Sequence, residues 1–73
     1  MTNETTKLIK LGKNIRAARK AKGLSQNELA EKIDISREHL AKLETAKRRI
    51  SLKLLFCLTE ALNVTEKELF NFD

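Results

Sequence analysis

Residues 25–44, Ser-Gln-Asn-Glu-Leu-Ala-Glu-Lys-Ile-Asp-Ile-Ser-Arg-Glu-His-Leu-Ala-Lys-Leu-Glu, repeat apolar positions at spacings of three and four, break, and repeat them again. That period is helical, and a stretch this short with one interruption has room only for two helices and a tight turn. Leu29, Ala30 and Ile33 share one face of the first helix, while Ile35, Leu40 and Leu43 form a seam that brings the second across it. Ala30 falls where the two approach closest, so a methyl fits there and a larger side chain would force them apart. Ser25 with Glu28 three residues on forms a capping box, and Ser36 caps the start of the second helix.

The flanks extend the same pattern. Proline is absent and glycine occurs only twice in 73 residues, which favours helix and leaves few residues for the turns of a sheet. Leu8, Leu11, Ile15 and Ala18 predict a helix over Thr6 to Lys22, closed by Gly23 in the left-handed conformation. A fourth helix is predicted after Ser51 as far as Leu62. Its stripe of Leu52, Leu55, Leu58 and Leu62, with Leu54, Phe56, Cys57 and Ala61 beside it, implies a central and mostly buried element. Thr65 and Glu68 make a second capping box for a short fifth helix through Leu69 and Phe70. The expectation is an all-α, compact five-helix bundle forming one domain over residues 1–73, frayed at 1–5.

Composition excludes several classes of function. A single cysteine, Cys57, allows no intramolecular disulfide, and no second thiol or histidine stands at metal-ligand spacing beside it, so no metal or cofactor is expected. No apolar run approaches the roughly 20 residues that cross a bilayer, and the amino terminus lacks the apolar stretch of a signal peptide; the expected location is cytoplasmic, without membrane contact. An enzyme is disfavoured, because there is no Ser/His/Asp set, no paired-carboxylate pocket and no phosphate loop. Charge is lopsided: residues 1–53 hold fourteen lysines and arginines against six acids, whereas residues 54–73 hold one against four, together with all three phenylalanines. Polyanion binding belongs to the front of such a chain, and core or partner contacts to the back.

These residues resemble the phage repressor and Cro-like (XRE-family) helix-turn-helix domains. The resemblance runs from Leu11 to Phe70, through Leu11 to Arg16, Arg19 with Gly23 to Gln26, Glu28 to Ala30, Ile35-Ser36, Leu40 to Glu44, and Ala61 to Val64 leading into Leu69-Phe70. It implies a lambda-repressor-like bundle with helices 2 and 3 as the helix-turn-helix. The sequence departs from the family pattern at Asp34 and Ala46, where glycine is usual, and at Ile50, where proline is common. The turn position of Asp34 tends to need positive φ, which aspartate tolerates at some cost. The joint between helices 3 and 4 is expected to be longer in helix or differently angled.

The implied partner is double-stranded DNA, with no small-molecule ligand. A recognition helix lays its amino-terminal turns in the major groove, which makes Arg37, Glu38 and Lys42 the expected base contacts. Arg37 suits the O6 and N7 of guanine, Glu38 the N4 of cytosine or the orientation of Arg37, and Lys42 guanine or a phosphate. Gln26, Asn27, Ser36, His39, Lys47, Arg48 and Arg49 are the expected phosphate contacts. The resemblance further implies that Arg19 and Glu44 pair structurally, tying helix 1 to the end of helix 3. Cys57 reads as a small buried hydrophobe.

One reading helix sees few base pairs, so a homodimer on an inverted repeat is expected, its interface built from Leu69, Phe70 and Phe72. The expected activity is sequence-specific transcriptional regulation, of the repressor or restriction-modification controller type. The alternative is an antitoxin-like interaction module that binds a partner protein and autoregulates its operon.

Overall fold

Among the described residues, four helix starts carry a hydroxyl side chain. The computed structural model describes residues 3–72, with α1 over Asn3–Ala21, α2 over Gln26–Lys32, α3 over Arg37–Glu44, α4 over Leu52–Leu62 and α5 over Glu66–Leu69. Ser25, Ser36, Ser51 and Thr65 sit in extended backbone, and each side-chain oxygen accepts a hydrogen bond from the amide three residues on. Each bond satisfies an N–H that the first helical turn leaves unpaired, an arrangement worth about 1 kcal/mol per cap. At α2 and α5 the cap is reciprocal: the backbone N–H of Ser25 donates to Glu28 Oε1 at 2.8 Å, and that of Thr65 to Glu68 Oε1 at 3.4 Å.

The helix exits share a second device. Gly23, Asp34, Ala46 and Asn63 follow α1 to α4 in the left-handed conformation, with φ of 75°, 59°, 60° and 54°. The next amide then reaches back over the last turn: Leu24 to Arg19 O at 3.1 Å, Ile35 to Ala30 O at 3.0 Å, Lys47 to Lys42 O at 2.8 Å and Val64 to Thr59 O at 3.1 Å. This is the Schellman closure, which satisfies orphan carbonyls and reverses the chain within a few residues. Leu24, Ile35 and Val64 are turned onto the core by it. Alanine pays for the left-handed conformation with its Cβ and has no polar side chain to compensate, yet the closure still forms at Ala46. The joint after α3 is accordingly no longer in helix than expected for a glycine there, and α3 stops at Glu44.

Ile15, Leu29, Leu40, Leu43, Leu58 and Leu69 are fully buried, so every helix contributes to one core. α1 crosses the end of α3 at Gly12, where an added Cβ would lie 2.6 Å from the carbonyl oxygen of Glu44 and 2.7 Å from that of Leu43. The carboxyl-terminal segment is fastened to α1 by polar contacts: Asn14 Nδ2 donates to Leu69 O at 2.7 Å and Asn71 O at 2.8 Å, and Lys10 Nζ to Phe72 O at 3.3 Å.

Three expectations are corrected. α1 begins at Asn3 rather than Thr6, so residues 3–5, expected to be frayed, are helical, while residues 1 and 2 lie outside the described residues. α4 is not mostly buried: Leu55, Leu58 and Leu62 face the core, but Leu52 is 71% and Phe56 53% exposed. Its apolar surface is wider than the groove it occupies, so one flank is left in solvent. Cys57 is only partly buried, packed beside Leu54 at the margin of the core next to Ile33 and Ile35.

Candidate nucleic-acid interface

α3 divides cleanly by face. At about 100° per residue, Arg37, Ala41, Glu38 and Lys42 fill an arc of about 140°, and Leu43, Leu40 and Glu44 occupy the arc behind it. Arg37, Glu38 and Lys42 are exposed, whereas Leu40, Leu43 and Glu44 are buried. The helix therefore lies on the protein by its apolar back and holds a polar front in water. Ala41, which the sequence reading passed over, sits between Arg37 and Glu38 on that front and is partly exposed. A helical wheel of residues 37–44 locates it; its lack of a functional group hid it.

The back of α3 is held by charge as well as by packing. Arg19 Nε donates to Glu44 Oε2 at 2.7 Å and Arg19 Nη2 to Glu44 Oε1 at 3.2 Å, both side chains being buried. The third edge of the guanidinium donates from Nη1 to Leu24 O at 3.0 Å, and Gln26 Nε2 donates to Glu44 Oε1 at 3.1 Å. A two-pronged pair with both partners hydrogen-bonded further is the geometry in which a buried ion pair is tolerated. Every buried side-chain nitrogen and oxygen among the described residues has a partner. The network joins α1, the loop before α2, the first residue of α2 and the end of α3.

The residues predicted to touch phosphate are distributed unevenly. Asn27, Lys47 and Arg48 are exposed. Ser36 is exposed too, but its oxygen already accepts the His39 amide at 3.0 Å. Gln26 is partly buried and one of its two amide protons goes to Glu44, leaving the other to donate outward. Arg49 forms an exposed ion pair with Glu4, Nη2 to Oε1 at 2.8 Å. His39 is half-buried at the edge of a shallow depression lined by Ile33, Ile35, Leu54 and Cys57, turned away from the exposed front of α3.

Leu69 is 1% exposed and belongs to the core, so it is removed from the predicted interface. Phe70 is 44% exposed and stacks edge-on against Phe72, with ring centroids 5.9 Å apart at 79°. The two rings and Leu8 and Leu11 of α1 line an open groove of about 670 Å³. Among the described residues no group of His, Cys, Asp or Glu is arranged to hold a metal ion, and no helix is long and apolar enough to cross a membrane.

Comparison with known proteins places this geometry. A profile described as helix-turn-helix matches residues 15–69. A helix-turn-helix-type transcriptional regulator of Rickettsia conorii is 47% identical over 53 residues, covering 73% of this chain but 42% of its own length, so the chain spans less than half of that relative. The control protein C.MunI of Mycoplasma sp is 36% identical over 64 residues, 86% of each chain. The crystal structure of the restriction-modification controller protein C.AhdI from Aeromonas hydrophila superposes with a TM-score of 0.85 at 37% identity, covering 89% of this chain and 98% of that one.

Proposed function

The chain belongs to the helix-turn-helix family, and from that footing we propose that it is a sequence-specific DNA-binding transcriptional regulator, non-enzymatic and of the controller type represented by its similar structures. One observation carries the proposal: α3 is braced from behind by Leu40, Leu43 and the Glu44–Arg19 pair while Arg37, Glu38 and Lys42 stand exposed on its front. A rigid helix with a polar outer arc is what a major groove about 12 Å wide admits. Arg37 is assigned to guanine, Glu38 to cytosine N4 and Lys42 to guanine or a phosphate. Ala41, between them, suits a thymine methyl. Gln26 with its free amide proton, Asn27, Lys47, Arg48 and Arg49 are assigned to the backbone, where they position the helix and supply affinity.

The protein acts in this reading as a homodimer on an inverted repeat, with half-sites about 34 to 36 Å apart. Phe70 and Phe72 and the groove they share with α1 support the dimer, because two adjacent part-exposed aromatic rings are costly to leave in water. Selection of bound duplexes from a random pool tests the proposal. Enrichment of an inverted repeat upholds it, and a pool that emerges unenriched overturns it.

A further inference from the structure

The loop after α3 presents three consecutive cations, Lys47, Arg48 and Arg49, and the structure treats one of them differently. Arg49 is paired with Glu4, in the first turn of α1, across 2.8 Å. No carboxylate lies within ion-pair distance of Lys47 or Arg48 among the described residues. Both members of the pair are open to solvent, with side chains 81% and 59% exposed, so neither packing nor burial locks the contact. An exposed pair of this kind is weak enough for a competing anion to displace.

We propose that Glu4 tunes DNA affinity by competing with a backbone phosphate for the Arg49 guanidinium. The inference rests on the DNA-binding reading and adds a residue to it that lies outside the helix-turn-helix. In the free protein Arg49 is neutralised by Glu4. Contact with DNA requires the guanidinium to exchange one oxyanion for another, and Glu4 then takes up a counterion from solution. The Arg49–phosphate contact thus yields less net counterion release than one made by Lys47 or Arg48. Because phosphate contacts are blind to sequence, weakening one of them lowers binding to all duplexes and leaves base contacts to carry a larger share of discrimination. Glu4 is in this sense a positioning residue acting through Arg49.

The experiment is a four-protein cycle: the unaltered chain, Glu4→Gln, Arg49→Ala and the double variant, each titrated by fluorescence anisotropy against a non-specific duplex over a series of salt concentrations. Glu4→Gln is expected to tighten binding by up to about five-fold at low salt, the factor an exposed ion pair is worth. Its plot of log affinity against log salt is expected to steepen by up to about 0.9 per protomer. In the Arg49→Ala background the same substitution is expected to have a smaller effect and leave the slope alone. An equal gain in both backgrounds overturns the inference, since it reports only the loss of one negative charge; no gain with Arg49 present overturns it as well. Failure of the unaltered chain to bind any duplex sinks the DNA-binding reading itself, a different result from binding that Glu4→Gln does not change.

Discussion

Gly12 lies so close beneath Glu44 that a methyl group on it would stand 2.6 Å from the Glu44 carbonyl oxygen. Both neighbours at this crossing are backbone, which has no rotamer with which to give way. Gly12→Ala gains about 0.5 to 1 kcal/mol of intrinsic helix preference. It is nevertheless expected to destabilise the protein by about 1 to 3 kcal/mol, the usual result of overpacking, because α1 must lift from α3. A urea midpoint lowered relative to the unaltered chain bears this out; a raised one shows the crossing to be slack.

The pair that Glu44 makes with Arg19 is buried, and removal of one partner leaves the other charged in the core. Glu44→Ala is expected to cost about 3 to 5 kcal/mol. The double variant Arg19→Met with Glu44→Leu, which removes both charges and keeps volume, is expected to be more stable than Glu44→Ala alone. Chemical denaturation of the set decides the matter, and a double variant no better than the single one shows that the hydrogen bonds to Leu24 and Gln26 matter more than the charge.

Ala46 holds φ at 60° to close α3, and a left-handed residue with a Cβ costs roughly 1 to 2 kcal/mol. Glycine removes that strain but loses some of the gain to the greater freedom of the unfolded chain. Ala46→Gly is expected to stabilise the protein by up to about 1 kcal/mol, seen as a higher melting temperature in calorimetry. The reverse change at Gly23, Gly23→Ala, is expected to lower it, since φ there is 75°.

Arg37 and Arg48 are both exposed arginines, but they have different expected partners. Arg37→Ala is expected to relax preference at one position of the operator and to cost about 1 to 3 kcal/mol if the guanine contact is two-pronged. Arg48→Ala should weaken every sequence alike and reduce the salt slope by about one. Parallel selection from a random pool at two salt concentrations separates them; matching profiles for the two variants would mean that α3 does not read bases.

Acid should loosen α2 at its start. The Glu28 carboxyl is held below the ordinary glutamate value chiefly by the backbone N–H of Ser25, then by the Ser25 side chain, with Lys32 adding a smaller pull. A group whose folded pKa is depressed contributes stability that is fully present above its unfolded pKa and is lost as pH falls through the folded one. The capping box therefore weakens on acidification through and below the ordinary glutamate range. Glu28→Gln is expected to be less stable at neutral pH and to show a smaller drop in urea midpoint on acidification; an unchanged drop assigns the acid sensitivity elsewhere.

Much of the fold is legible in single residues. Ser25, Ser36 and Thr65 announce helix starts because a cap needs one side chain and one amide three residues on, a purely local relation. The turn after α2 is equally local, and Asp34 adopts the positive φ that its place implies. Ala46 shows where local reasoning falls short: nothing in its chemistry asks for a left-handed backbone, yet it holds φ at 60° and the Lys47 amide closes back on Lys42 O. Leu69 and Phe70 are neighbours of like hydropathy, yet one is in the core and the other is 44% exposed. A four-residue helix offers too little periodicity to say which way each side chain faces.

What the order of residues determined by itself was the set of helices, their capped beginnings, the polar front of α3 and the excess of positive charge ahead of residue 54. Those properties follow from hydrogen bonds and periodicities that span a few residues. The tertiary structure decided which apolar residues were left over, exposing Leu52 and Phe56 and burying Leu69. It also decided that Arg49 meets Glu4 at the surface, whereas the Arg19–Glu44 pair in the core was already implied by the family resemblance. Ion pairs and close crossings depend on the relative placement of whole helices, and that placement is settled by how their combined surfaces fit around one core.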